Sequence, residues 1–155
     1  MLDLEAQLGN FTKLAIVGVG SELRCDDGVG IYIANKLKER TKDPRIEVFI
    51  GGTTPENVTG PLKKLKPSHV VIIDAAKAGK PPGTVSLIDP KHIEGVNFST
   101  HTFSLGILAD YIGKTIGAKV IIIGIEPKDI SFDGKMSREV IKAADETLNE
   151  FKFNP

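Results

Sequence analysis

The chain has 155 residues, 41% hydrophobic and 26% charged, with 20 basic side chains balanced by 20 acidic ones. That length suits one globular domain, residues 1–155, burying about 68–70% of the surface its unfolded form exposes, and the zero formal charge argues against a broadly basic nucleic-acid-binding face. A single cysteine excludes an internal disulfide and a CxxC zinc site. Apolar runs such as 120–125 fall far short of the roughly 18–20 residues that a membrane span needs, so no membrane insertion is expected. The N-terminal MLDLEAQLGNF carries acids where a secretory leader carries positive charge, and a cytoplasmic protein is expected.

The periodicity switches between short β-branched runs and longer amphipathic segments. Residues 14–19 are apolar throughout, as in a strand covered on both faces. A polar loop follows Gly20 and leads into a helix over 28–40, where Ile33, Ala34 and Leu37 share one face. Asp26 or Asp27 would stand at its start, accepting unpaired N–H groups. A second strand is expected over 45–50, then a short helix over 54–65 with Pro55 at its first position. The third strand runs over 69–74 and stops at Asp74. A turn at Pro81-Pro82-Gly83 leads to a short peripheral strand over 84–88. A helix follows over 102–116, a fifth strand over 118–125, and a last helix over 135–151. This alternation predicts a three-layer α/β sandwich: a five-stranded, mostly parallel twisted sheet flanked by helices, with the peripheral strand antiparallel. No exposed apolar stripe points to an oligomer, and a monomer is expected.

Chemistry-bearing residues gather behind the carboxyl ends of these strands. Ser21-Glu-Leu-Arg-Cys-Asp-Asp-Gly28 follows the first, Asp74 ends the third, Glu126-Pro127 follows the fifth, and His101 precedes the helix leading into the fifth. Ligands of open α/β sheets bind at this edge, where the strand order reverses. The first and third strands are the natural neighbours across that crevice, so Asp26 or Asp27, Asp74 and His101 converge. Two carboxylates and an imidazole can hold a divalent transition ion with coordination positions left open. Taken singly, each acid could equally be a helix cap or a loop acceptor.

Other patterns carry less. Gly18-Val-Gly20 starts a dinucleotide fingerprint, but Leu23 stands where its third small residue belongs. Two acids then follow where a pyrophosphate would lie. Cys25 with His101 could form a nucleophile–base pair, although the two neighbouring acids work against a thiolate. No GxSxG or HExxH motif occurs. His69, before a strand, and His92, in a polar loop, are expected on the surface.

Five segments together resemble one family: Ile16-Val-Gly-Val-Gly-Ser-Glu-Leu-Arg-Cys-Asp-Asp-Gly-Val-Gly30, Val70-Val-Ile-Ile-Asp-Ala75, Pro82-Gly-Thr84, Ser99-Thr-His-Thr-Phe-Ser-Leu105 and Val120-Ile-Ile-Ile-Gly-Ile-Glu-Pro127. The sequence resembles the hydrogenase maturation endopeptidases, which trim the C-terminus of the nickel–iron hydrogenase large-subunit precursor. Its likeness is to the branch serving formate-hydrogenlyase-type enzymes. The resemblance implies a peptidase that holds no catalytic metal of its own and recognises nickel already inserted into its protein substrate. It implies Asp27, Asp74 and His101 as the nickel-sensing, catalytic set. The family usually has Asn where this chain has Ser21, so any role of the amide falls to a hydroxyl. Rival expectations are a nickel-binding assembly chaperone that cleaves nothing, a Cys25–His101 hydrolase and a nucleotide-binding domain.

Overall fold

The computed structural model describes residues 2–98 and 105–152. A short helix α1 (Leu4–Leu8) comes first, capped by Asp3, whose Oδ1 accepts from the Ala6 N–H at 3.2 Å. Strand β1 (Leu14–Val19) is buried at every position, as its unbroken apolar run predicts. A 3-10 turn (Cys25–Gly28) leads into helix α2 (Val29–Arg40), and strand β2 (Ile46–Gly52) follows. The short helix expected over 54–65 is divided into a 3-10 turn (Pro55–Val58) and helix α3 (Thr59–Leu65). It ends at Lys66 in the left-handed conformation.

Strand β3 (His69–Lys77) extends three residues past Asp74, so the acid is embedded in the strand rather than ending it. Its ladder with the later strand continues through that point, where Asp74 pairs with Gly124. Strand β4 (Val85–Ile88) is the peripheral one, and a two-residue strand β5 (Asn97–Phe98) was not anticipated. Helix α4 (Leu105–Tyr111) passes into a π-helical turn (Ile112–Ile116), then strand β6 (Lys119–Ile125) and helix α5 (Arg138–Glu150) complete the chain.

The sheet therefore has six strands, not five, in the order β2-β1-β3-β6-β4, with β5 paired to β3. The β1–β2, β1–β3 and β3–β6 pairs are parallel, while β4 runs antiparallel against β6 at one edge and β5 antiparallel against β3. Side-chain alternation divides the core into two layers. Leu14, Ile16, Val71, Ile73, Ile121 and Ile123 face α2 and α5. Ala15, Val17, Val70, Ile72 and Ile122 face α3 and α4. Helix α2 approaches the sheet closely because Gly30 has no side chain: a Cβ there would collide with the Ile73 carbonyl and lie 2.5 Å from that of Val19.

The chain leaves β1 toward β2 on one side and leaves β3 toward β6 on the other. The order reverses between β1 and β3, as anticipated, and the crevice opens there. The last β1–β3 pair is Gly18 with Ile73, so Asp74 stands one residue beyond the point where β1 stops covering its neighbour.

Candidate active site

At the crevice, β1 gives way to Gly20, whose φ of +130° only glycine adopts readily. A Cβ at that position would strike the Asp27 carbonyl and lie 3.6 Å from Asp74 Oδ1, so the glycine is bordered by both acids. The backbone N–H of Ser21 donates to Asp27 Oδ2 at 3.2 Å, fixing that carboxylate against the turn that carries it. The Ser21 hydroxyl is turned to its own loop and accepts from the Leu23 N–H at 3.3 Å. Asp74 is fully buried and Asp27 is 3% exposed. Carboxylates this deep require compensation by donors or positive charge, since an ionised group loses its hydration on burial. Alternation along β3 also puts Asp74 in phase with Val70 and Ile72, on the face that α4 covers.

The neighbouring Asp26 does a different job. Its Oδ2 accepts from the N–H groups of Lys128 and Asp129 at 2.8 and 3.0 Å and from the Ser137 hydroxyl at 2.8 Å, and its Oδ1 takes the Ser137 N–H at 2.7 Å. Four charge-assisted bonds tie the segment between β6 and α5 onto the turn after β1. Neither acid caps α2, where Gly28 holds that position without a side-chain bond. Sequence alone left Asp26 and Asp27 interchangeable; the structure separates them by what their oxygens touch.

Glu126 is likewise consumed by the fold. Its Oε1 accepts from the Ala78 and Lys80 N–H groups at 2.8 and 2.9 Å, holding the loop after β3. Cys25 is buried, with φ at +48°, and its thiol donates to the Ser131 carbonyl at 3.0 Å. Asp129 keeps its carboxyl below the usual range by accepting from the Ser131 N–H at 2.8 Å. His92 is exposed, as expected, but His69 is 6% exposed and bonded to the Ser68 hydroxyl at 2.8 Å, which corrects its expected surface position.

His101 lies outside the described residues, so of the expected set the structure describes Asp27 and Asp74, both of which border Gly20. Among the described residues, no three His, Cys, Asp or Glu side chains group as a metal site. A two-carboxylate crevice can bind a cation only with donors added from elsewhere, and it can orient water or an amide through its oxygens. The sequence also gave no hint of two large apolar side chains beside this crevice, Leu23 and Phe132, which are 73% and 67% exposed. Their one signal is setting: each is a large hydrophobe in a short run of polar residues, Leu23 alone and Phe132 two residues after Ile130. No helix among the described residues is long and apolar enough to cross a membrane.

Comparison with known proteins follows the same lines. Residues 31–151 match the family model described as "HycI: Hydrogenase maturation protease". A Methanocaldococcus jannaschii protein provisionally named a hydrogenase maturation protease is 41% identical over 150 residues, 92% of this chain and 88% of that one. The Hydrogenase 3 maturation protease of Escherichia coli K12 is 36% identical over 131 residues, covering 84% of this chain and 82% of its own. Among solved structures, the [NiFe] hydrogenase maturation protease HycI of Thermococcus kodakarensis superimposes with a TM-score of 0.87 at 31% identity, over 94% of each chain.

Proposed function

Because the chain belongs to the hydrogenase maturation protease family, we propose that it removes the C-terminal extension of a nickel–iron hydrogenase large-subunit precursor after nickel has been inserted. The observation that carries this is that two buried acids border Gly20 at the β1–β3 crevice, Asp27 through its backbone and Asp74 through its carboxylate. Buried carboxylates at such a crevice suit a site that receives positive charge. The nickel belongs to the substrate. Its expected third donor from this protein is His101, four residues before the first residue of α4, which covers the same face as Asp74. Strand β5 is antiparallel to β3, with Asn97 opposite Lys77 and Phe98 opposite Ala76.

In this scheme Asp27 and Asp74 complete the coordination of the incoming ion and hold the tail across the crevice. The ion polarises the scissile carbonyl, which lowers the barrier to attack by water. Water oxygen bonds to the carbonyl carbon, the C–N bond breaks, and the departing nitrogen leaves as an amine with the proton. Asp26, through its bonds to the 128–137 segment, keeps the turn carrying Asp27 in place. Selection for mature substrate then follows from the metal: a precursor without nickel offers the two acids no ion to coordinate.

The test is cleavage of nickel-loaded and nickel-free precursor, read by the mass of the large subunit, with wild type and Asp27→Ala, Asp74→Ala and His101→Ala. Loss of a C-terminal peptide only from the loaded precursor, and only with wild type, is expected. An unchanged mass with bound nickel would make the protein an assembly chaperone instead, and full activity of Asp74→Ala would remove the crevice from the chemistry.

A further inference from the structure

We propose that Leu23 and Phe132 form a rigid apolar docking rim for the folded body of the precursor, beside the crevice that takes its tail. The large hydrophobic side chains most exposed among the described residues are Leu23, Ile50, Ile107 and Phe132. All four stand at the carboxyl edge of the sheet: Leu23 after β1, Ile50 near the end of β2, Ile107 in the first turn of α4 and Phe132 after β6. Single exposed hydrophobes are ordinary, but their confinement to the edge that holds the candidate site is not.

Leu23 and Phe132 are also fixed rather than loose. The Asp133 N–H donates to the Leu23 carbonyl at 3.3 Å, the Asp26 N–H donates to the Asp129 carbonyl at 2.9 Å, and the Arg24 Nε donates to the Ile130 carbonyl at 3.1 Å. The Arg24 guanidinium lies 5.3 Å from the centre of the Phe132 ring. With the Asp26 carboxylate clamping the same segment, residues 22–27 and 128–137 are laced together along their length. An exposed apolar pair held in a prearranged backbone loses little entropy on association, which favours a contact surface. Leu23 shares its loop with Asp27, and that loop is bonded to the segment carrying Phe132, so a protein chain docked on the pair lies next to the turn that carries the acid. The occupant is therefore the apolar surface of the substrate next to its C-terminal tail.

The identity of the partner rests on the proposed peptidase activity; the rim does not. The experiment measures binding and cleavage of the nickel–iron hydrogenase large-subunit precursors of the source genome, purified with their C-terminal extensions. It compares wild type, Leu23→Ser, Phe132→Ser, the double variant, and a Lys91→Ala/Lys114→Ala control from the opposite sheet edge. The double variant is expected to bind about tenfold or more weakly and to raise KM equally. Its kcat should stay within about twofold and its melting temperature within a few degrees, since the lacing bonds are mostly backbone. The control should match wild type. A double variant that binds like wild type overturns the rim while leaving the peptidase intact. A wild type that binds precursor but never cuts it overturns the peptidase, and the rim then stands or falls on binding alone. A wild-type dimer split by the substitutions, with precursor binding unchanged, would make the rim a self-association surface and overturn the proposal.

Discussion

The two edges of the sheet distribute their side chains in opposite ways. At the amino edge, Asp89, Lys91, Asp110, Lys114 and Lys119 line an open groove of about 550 Å³. Its charges are in water, paired as Asp110–Lys114 at 3.1 Å and His92–Asp89 at 3.1 Å. Such surface pairs contribute little to stability. At the carboxyl edge the pattern is inverted: Asp26, Asp27, Asp74 and Glu126 are buried, while Leu23 and Phe132 are exposed. Size of cavity is therefore a poor guide in this molecule, and the reversal of burial is a better one. Asp26 and Glu126 are buried to hold loops in place, whereas hydrophobes pushed outward add nothing to folding and persist where something else requires them.

Within the carboxyl edge, the proposed function assigns Asp26 to stability and Asp27 to chemistry, and substitution can break that division. Asp74→Asn and Asp27→Asn keep shape and remove charge. Each should lower precursor cleavage by about a hundredfold or more, because several kcal/mol of charge stabilisation is at stake. Neither should lower the melting temperature by more than a few degrees, because the amide keeps the shape of the carboxylate and one acceptor oxygen. The measurement is precursor turnover alongside thermal unfolding, and a collapse in stability with either variant would reassign that acid to the fold.

Asp26→Ala should behave the other way. It strands the N–H groups of Lys128, Asp129 and Ser137, which Asp26 now satisfies. These donors are partly buried, and unmet donors of this kind cost up to about 1–3 kcal/mol each and add incompletely, so a loss of about 3 kcal/mol is expected. For a chain of this length that lowers the melting temperature by about 6–12 °C. Residual cleavage at low temperature should persist, and calorimetry paired with turnover at two temperatures would show it.

How far this division was visible beforehand depends on how local its causes are. Strand β1 was legible to the residue because six consecutive buried positions leave an unbroken apolar run. The β1–β3 crevice was legible because the alternation of strands and helices permits few topologies. Strand β3 was cut short at Asp74 because an acid in an apolar run looks like a stop; the ladder to Gly124 continues regardless. Strand β5, two residues long, has no period to detect. Asp26 and Asp27 could not be told apart because the partners that distinguish them lie more than a hundred residues away. His69 was misplaced for a similar reason, since its cover comes from the third dimension. The exposed pair Leu23 and Phe132 belongs to loops, where no periodicity announces burial or its lack.

Smaller effects sharpen the comparison. Gly30→Ala would press α2 against the Ile73 carbonyl, immediately before Asp74 in β3. Overpacking of this kind costs about 1–3 kcal/mol. Cleavage should fall with stability, because the displaced strand carries Asp74, the acid assigned to the proposed chemistry. A variant that loses stability but keeps full turnover would show that the crevice tolerates movement of β3.

His69 offers the weakest and cleanest test, because it lies at the opposite edge. Burial lowers its pKa below the ordinary imidazole value of 6.5, and the charge of Lys119 adds to the effect. Above 6.5 the imidazole is neutral in both folded and unfolded chains and contributes no pH dependence. As pH falls through 6.5 the unfolded chain takes up a proton that the folded one resists, so stability declines toward acid. His69→Gln removes that titration and should flatten the acid side of a denaturation series between pH 7 and 5. Precursor turnover at pH 7 should stay unchanged, because His69 stands at the start of β3, five residues before Asp74 and at the edge opposite the crevice. If the slope survives the substitution, the acid sensitivity belongs to the buried carboxylates, and the two edges are not independent.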